Sequence, residues 1–424
     1  MLRKRLLLLT SALFSFSLVV SLAAPAASSA QSATAAATMA ATMPSDSAAA
    51  TMMATMSGTA QASTLPAACG NSGGTIAPIA ASIIAKVRAN PSQKPKIGFL
   101  FVGPVDDFGY NYAANQGRLC LEAVWPGSTV FAENVPENAE AERVMEKMIQ
   151  DGATIIYPTS YGHFDPATRV AKKYPNVTFL HLGGPSALPN LGTFFGNIWQ
   201  MVYLSGAAAA KVSKTGKFGY IVAFPIPQTL LNVNAFELGA QSVNPQATTT
   251  VVFTGSWCDP AKMTSATDTL VDQGIDVVTM HQDCPKPIIE EAARRNVYVV
   301  GYHADGSSVA PKAWITGAEW VWGPTMIQLT SQILDGTFKP TVLRYGPQEG
   351  IVDLAPFGPS VPPDVVTQIN KLKADVIAGT VYPFTGPVKD QSGAIVIKAG
   401  DKPDEATLET MNYLVAGVIG TLPQ

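Results

Sequence analysis

Charge is what this chain has least of. Only 14% of its 424 residues are Asp, Glu, Lys or Arg, against about 25% in an average globular protein. The 28 basic residues nearly cancel the 31 acidic ones, leaving 28 − 31 = −3. There is no basic block, and nucleic-acid binding needs a cationic footprint, so that class is excluded. Only one apolar run approaches membrane-spanning length, at the extreme N-terminus, which excludes a polytopic membrane protein. Histidine is scarce, with four residues. His163 with Asp165, and His281 with Asp283 and Cys284, do not have the spacing of a compact metal site, so no metal and no cofactor is expected. G-x-S-x-G, H-E-x-x-H, G-x-G-x-x-G and a phosphate loop are all missing, which removes the common enzyme templates. A nucleoside hydrolase would need a carboxylate cluster, and no spacing singles out Asp106, Asp107, Asp283 and Asp305. The expectation is a protein that is not an enzyme.

The apolar content, 47%, is ample for large cores, and the length allows two or three domains. Arg3, Lys4 and Arg5 precede the uncharged run Leu6–Ala24, and Ala27-Ser28-Ser29-Ala30 offers small residues for cleavage. This is the pattern of a secretory signal over residues 1–30; an uncleaved anchor is the alternative. An Ala/Thr/Ser/Met-rich stretch follows, expected as a disordered linker over 31–75. No lipid-attachment Cys follows the apolar run. In an exported chain the four cysteines suggest two disulfides out of three possible pairings. Cys258 and Cys284 each follow a strand candidate with one helix between, and adjacent strands lie within bridging range. This points to Cys258–Cys284 and leaves Cys69–Cys120; free buried thiols are the alternative.

From Lys96 the chain alternates short apolar runs with helical patterns. Strands are expected at 97–102, 129–135, 154–158, 178–182 and 193–197, then at 218–223, 249–254, 277–280, 297–301 and 314–317. Helices are expected near 112–124, 138–150, 166–173, 200–213, 229–241, 261–273, 286–295 and 325–335. Continuous apolar strands with helical crossovers make parallel sheets covered on both faces. Two such series predict an α/β protein of two similar lobes, with ligand bound beyond the carboxyl ends of the strands.

Aromatic, acidic and amide residues recur at those ends: Asp107-Phe108-Gly109-Tyr110-Asn111, Tyr161, Trp199, Trp257, His281-Gln282-Asp283, His303-Ala304-Asp305 and Trp320-Val321-Trp322. Three to five of the six Trp could line one cleft and stack on a planar ligand. His281 and His303 read equally as cleft donors or as satisfied core residues.

Asp107-Phe108-Gly109-Tyr110-Asn111 followed by Gly117 resembles the D-x-[SG]-[FY]-N-x5-G signature of the basic membrane protein (BMP) family, the substrate-binding proteins of ABC importers similar to the purine nucleoside receptor group. Tyr203-Leu204-Ser205-Gly206 resembles the family's Y-L-x-G helix, and Ile377–Phe384 its closing helix and tail. The resemblance spans roughly Lys96 to Pro387. It implies a type I periplasmic-binding-protein fold of two Rossmann-like lobes joined by a three-strand hinge, with lobes over 76–197 plus 322–340 and 198–321 plus 341–424. It also implies a monomer that delivers a purine to a membrane permease. Phe108 or Tyr110 would stack on the base, Asn111 would bond its edge, and Trp199 and Asp305 would flank the ligand, with Tyr161, Trp257, His281, Asp283 and Trp322 completing the cleft. Nucleoside-binding members carry a Lys where this chain has Glu319-Trp320-Val321-Trp322. Trp322 would fill the sugar space, so a free adenine-like base is expected rather than a nucleoside. A ligand-sensing domain for a signalling partner and a hydrolase-like enzyme are the other readings.

Overall fold

The apolar runs pair as strands of two largely parallel sheets. The computed structural model describes residues 65–70, 73–91 and 94–423. Its strands are β1 (Ile97–Leu100), β2 (Thr129–Ala132), β3 (Ile155–Pro158), β4 (Thr178–Leu182), β5 (Leu191–Gly196), β6 (Lys217–Val222), β7 (Thr248–Phe253), β8 (Val277–His281), β9 (Tyr298–His303) and β10 (Trp314–Trp320). Five short strands follow: β11 (Val342–Tyr345), β12 (Val352–Leu354), β13 (Val388–Lys389), β14 (Ile395–Ile397) and β15 (Val418–Ile419). The first sheet runs β11-β5-β4-β3-β1-β2 and the second β12-β10-β9-β8-β6-β7-β15. Every residue of β1, β3 and β8 is buried, as strands covered on both faces require. In-register pairing places Phe99 beside Tyr157, and their rings stack at 4.6 Å.

Eleven α-helices lie among the described residues: α1 (Ile76–Ala89), α2 (Tyr110–Val124), α3 (Ala139–Gln150), α4 (Phe164–Lys173), α5 (Trp199–Val212), α6 (Pro227–Gln241), α7 (Pro260–Asp272), α8 (Lys286–Arg294), α9 (Trp322–Leu334), α10 (Pro363–Ile377) and α11 (Glu405–Leu408). Their starts follow local chemistry. Asn138 accepts a hydrogen bond from the Glu140 N–H at the head of α3, and Asp259 accepts one from Lys262 at the head of α7, with Pro260 in the first turn. Helices α5 and α6 touch backbone to backbone. A Cβ at Gly206 would stand 2.1 Å from the Phe236 carbonyl oxygen, and one at Gly239 would stand 1.9 Å from that of Tyr203. That close approach is why the Tyr203–Gly206 motif ends in glycine.

The chain passes between the sheets three times: between Gly196 and Trp199, at Val321, and between Tyr345 and Val352. This is the type I periplasmic-binding-protein architecture. Two expectations need correction. A lobe division at 340/341 falls too early, because β11 pairs with β5 in the first sheet. A linker reaching residue 75 runs too far, because Cys69 is buried and disulfide-bonded to Cys120, and the Thr75 N–H donates to the Gln348 carbonyl at 2.9 Å. Composition shows too few apolar residues there, but one covalent tie supplies the anchorage. The secretory signal, and the linker up to residue 64, lie outside the described residues.

The C-terminal segment is strapped to the second lobe. Asn234 donates to the Tyr413 carbonyl at 2.8 Å and accepts from the Val415 N–H at 2.9 Å, and Gln241 donates to the Ala416 carbonyl at 2.9 Å. Beside them Glu237 is fully buried and accepts from Thr249 and Gln241. Burial pushes its carboxyl up from 4.5 to about 7. The unfolded chain releases this proton above pH 4.5 while the folded chain keeps it to about pH 7. The folded state therefore binds more protons in that window, and stability falls as pH rises through it, by up to ~1.4 kcal/mol per pH unit for one proton. Glu237→Gln should flatten that slope in denaturant melts between pH 5 and 7.5. An unchanged slope would mean Glu237 is charged in the fold.

Candidate functional site

The loop after β1 is built around one carboxylate. Asp107 accepts from the backbone N–H groups of Gly109 (2.8 Å), Asn111 (3.1 Å) and Tyr112 (2.9 Å), and from the Asn111 side-chain amide (2.8 Å). It thereby caps α2, whose first N–H groups have no helical partner. Burial still pushes its carboxyl above the ordinary 3.8, although these bonds favour the charged form. The other end of the Asn111 amide accepts from the Gly103 N–H at 3.2 Å. Asn111 thus holds the loop together with both ends of its amide. The loop forces Phe108 to a φ of 57°, a costly conformation for a bulky side chain.

In the second lobe the ends of β6 to β10 carry a chain of rings. Trp257 lies 5.4 Å from Phe224 and 5.8 Å from His281; His281 lies 4.4 Å from Tyr302; Tyr302 lies 4.2 Å from His303. A buried amide on α6 sets their hydrogen bonding: the Asn232 nitrogen reaches both His281 Nδ1 (3.0 Å) and the Tyr302 hydroxyl (2.9 Å). Burial lowers His281 to about 3, so the ring is neutral. The Trp320 indole N–H donates to His303 Nδ1 at 3.0 Å.

The lobes meet at this ring chain. The Tyr110 ring stands edge-on to His303 at 5.5 Å, its hydroxyl donates to the Thr159 carbonyl at 2.7 Å, and its N–H donates to the Asp283 carbonyl at 3.2 Å. Phe108 stacks on Tyr112 at 5.5 Å and faces the Lys286 ammonium, also at 5.5 Å. The Asp283 carboxyl lies 3.8 Å from His303 Nε2, too long for a hydrogen bond. Burial, with Asp107 and Glu137 nearby, raises Asp283 to about 8, while burial and His281 hold His303 well below 6.5. They are two neutral groups at neutral pH, not an ion pair. Glu319, paired in register with His303, is likewise pushed up to about 7 by burial and by Asp353 and Asp305.

Of the residues expected at the site, Phe108, Tyr110, Trp257, His281 and Asp283 come together here. Others stand apart. Trp199 packs edge-on against Tyr382 and Phe384 at the start of α5. Trp322 is 1% exposed, stacked on Trp320 at 4.6 Å and flanked by Phe194 and Phe195. Tyr161 is 69% exposed. The Asp305 carboxylate accepts from the Ser307 N–H at 2.8 Å within its own turn. Tyr302 and Trp320 stand at strand ends in the sequence but are not among the expected ligand contacts. Asn232 escaped the sequence reading altogether, although a buried-looking amide in the apolar stretch Thr229–Phe236 was a signal. Both expected disulfides are present, Cys258–Cys284 and Cys69–Cys120. The reason offered for the first was wrong: β6 lies between β7 and β8, so the two loops meet across the end of β6 rather than along neighbouring strands.

Residues 94–386 match the family model "Bmp: ABC transporter substrate-binding protein PnrA-like". A purine-binding protein of Brucella abortus is 40% identical over 338 residues, covering 79% of this chain and 96% of that one. A Haloferax volcanii protein, named provisionally as an ABC transporter glucose-binding protein, is 28% identical, covering 77% of this chain and 80% of its own length. The crystallised solute-binding protein of an ABC transporter from Conexibacter woesei superposes with a TM-score of 0.60 at 22% identity, covering 68% of this chain and 97% of that one, which bears out the fold. Among the described residues no helix is long and apolar enough to cross a membrane. A match over more than half of the sequence, together with the 40% relative, establishes the kinship: this chain belongs to the Bmp family of PnrA-like ABC transporter substrate-binding proteins.

Proposed function

We propose that the chain captures a purine base of the adenine type between its lobes, outside the cytoplasm, and hands it unaltered to an ABC permease. The observation that carries this reading is the ring chain Trp257–His281–Tyr302–His303, met across the cleft by Tyr110. Flat rings lined up with buried amide and carboxyl groups suit a planar heterocycle with a polar edge. The purine-binding Brucella relative, similar along almost its whole length, supports the same class. No bond is made or broken. Ligand captured by one lobe gains contacts from the other only on closure, so it shifts the population towards the closed form that a permease recognises. Export by the N-terminal signal and action as a monomer complete the reading. Trp199, Trp322 and Asp305 would act from the hinge and cleft wall.

The test is direct. The protein purified from its host is denatured, released small molecules are identified by mass spectrometry, and the refolded protein is titrated with adenine, adenosine and glucose. Adenine should be found and should bind most tightly. Preference for adenosine would move the reading to nucleosides, and preference for glucose would replace it with a sugar, as the name of the Haloferax relative suggests.

A further inference from the structure

His303 combines two costs in one residue. Its φ is 79°, a left-handed conformation that costs a non-glycine residue about 1–3 kcal/mol. Its Nε2 is buried and has no hydrogen-bond partner, in a residue only 3% exposed. The tautomer follows from the neighbour. An indole N–H can only donate, so the His303 Nδ1 that receives the Trp320 bond is the bare nitrogen, and the neutral ring carries its hydrogen on Nε2. That N–H is therefore an unmet donor. It faces the Asp283 carboxyl at 3.8 Å, while the ring faces Tyr110 of the opposite lobe at 5.5 Å. Asp283 is itself fixed: its N–H donates to the Trp257 carbonyl at 2.8 Å, its carbonyl accepts from Tyr110, and the next residue is tied to Cys258.

We propose that His303 and Asp283 together determine ligand specificity by reading one edge of the bound ring: the His303 Nε2–H donates to a ring nitrogen and an Asp283 carboxyl oxygen accepts from an adjacent exocyclic amino group. This rests on the purine reading above and narrows it to amino-substituted heterocycles with an acceptor beside the amine. A ligand lacking either group leaves a buried site group unpaired, and that penalty is what discriminates.

The experiment is a cycle of ligands against variants, read by calorimetry. Wild-type protein is titrated with adenine, its 1-deaza, 3-deaza and 7-deaza analogues, and purine, which lacks the amine. Either the 1-deaza or the 7-deaza analogue, whose missing nitrogen flanks the amine, should bind roughly 10–100-fold more weakly than adenine, and purine should be similarly weak. The 3-deaza analogue, whose missing nitrogen lies away from the amine, should bind as adenine does. His303→Phe should weaken adenine by a like factor and no longer distinguish that one analogue from adenine, while His303→Gln, which keeps an N–H donor, recovers part of the loss. Asp283→Ala should erase the preference for adenine over purine. Should both the 1-deaza and the 7-deaza analogues bind the wild type as adenine does, the inference is overturned without recourse to any variant. It is also overturned if His303→Phe weakens every ligand equally, since that is the mark of a structural role. Both of those results leave the purine reading intact. Failure of the wild type to bind any of these compounds overturns the two together.

Discussion

Gly109→Val should reduce ligand affinity at least about 100-fold while leaving each lobe folded. A Cβ at Gly109 would stand 1.9 Å from the Asp283 carbonyl oxygen, 2.7 Å from its carbon and 2.6 Å from Pro285 Cδ. Real Cβ atoms do not come so near, and the opposing atoms are backbone and a proline ring, which cannot rotate aside. The clash lies only between the lobes: Gly109 opens the α2 loop of the first, and Asp283 follows β8 of the second. The substitution therefore bars closure without disturbing either core. Ligand contacts contributed by the second lobe are lost, and a binding-competent population reduced a hundredfold lowers apparent affinity by the same factor. Calorimetry should show the loss, X-ray scattering should show that ligand no longer contracts the molecule, and the thermal midpoint should barely move. Gly109→Ala should give the same result in weaker form. A valine variant that binds within a few-fold of wild type would mean that these lobes need not meet at Gly109 for capture.

The second large effect concerns stability. Replacing Cys69 and Cys120 by Ser together should cost about 4 kcal/mol, because the bridge spans 51 residues and loop closure over that length constrains the unfolded chain accordingly. The bridge also has a packing role. A Cβ on Gly323, at the start of α9, would come within 2.7 Å of Cys120 Sγ and 3.0 Å of Cys69 Cα, so that helix rests directly on the disulfide. Guanidinium melts of the double variant should show the loss, and wild type with reductant should follow it. Thiol titration of the unreduced, unfolded wild type should find no free sulfhydryl; four would remove both bridges. The shorter Cys258–Cys284 loop, with a separation of 26, should matter less for stability and more for the cleft, since Asp283 adjoins it.

The asymmetry between legible and illegible features has a physical basis. Strands such as β1, β3 and β8 were readable because strands buried on both faces must be continuous apolar runs. Strands β13 and β15, two residues each, and β11, which is only partly buried, carry no such local signal and exist because a neighbouring edge receives them. Helix α1 was missed, with Pro78 in its first turn. The same limit acted on the site. Every tryptophan near a strand end looked alike in the sequence, yet Trp257 joins the cleft rings while Trp322 is sealed among Phe194, Phe195 and Trp320. Asn111 looked like a ligand contact because its motif suggested one; only the folded loop shows its amide held by Asp107 and Gly103.

Residue order alone was enough to specify the α/β class, the two-lobed design and the family, because apolar periodicity and short motifs are local properties. It could not specify which rings converge, which tautomer His303 adopts, or that β6 separates β7 from β8. Those depend on contacts between residues far apart in the chain, and such contacts are defined only once both lobes have packed.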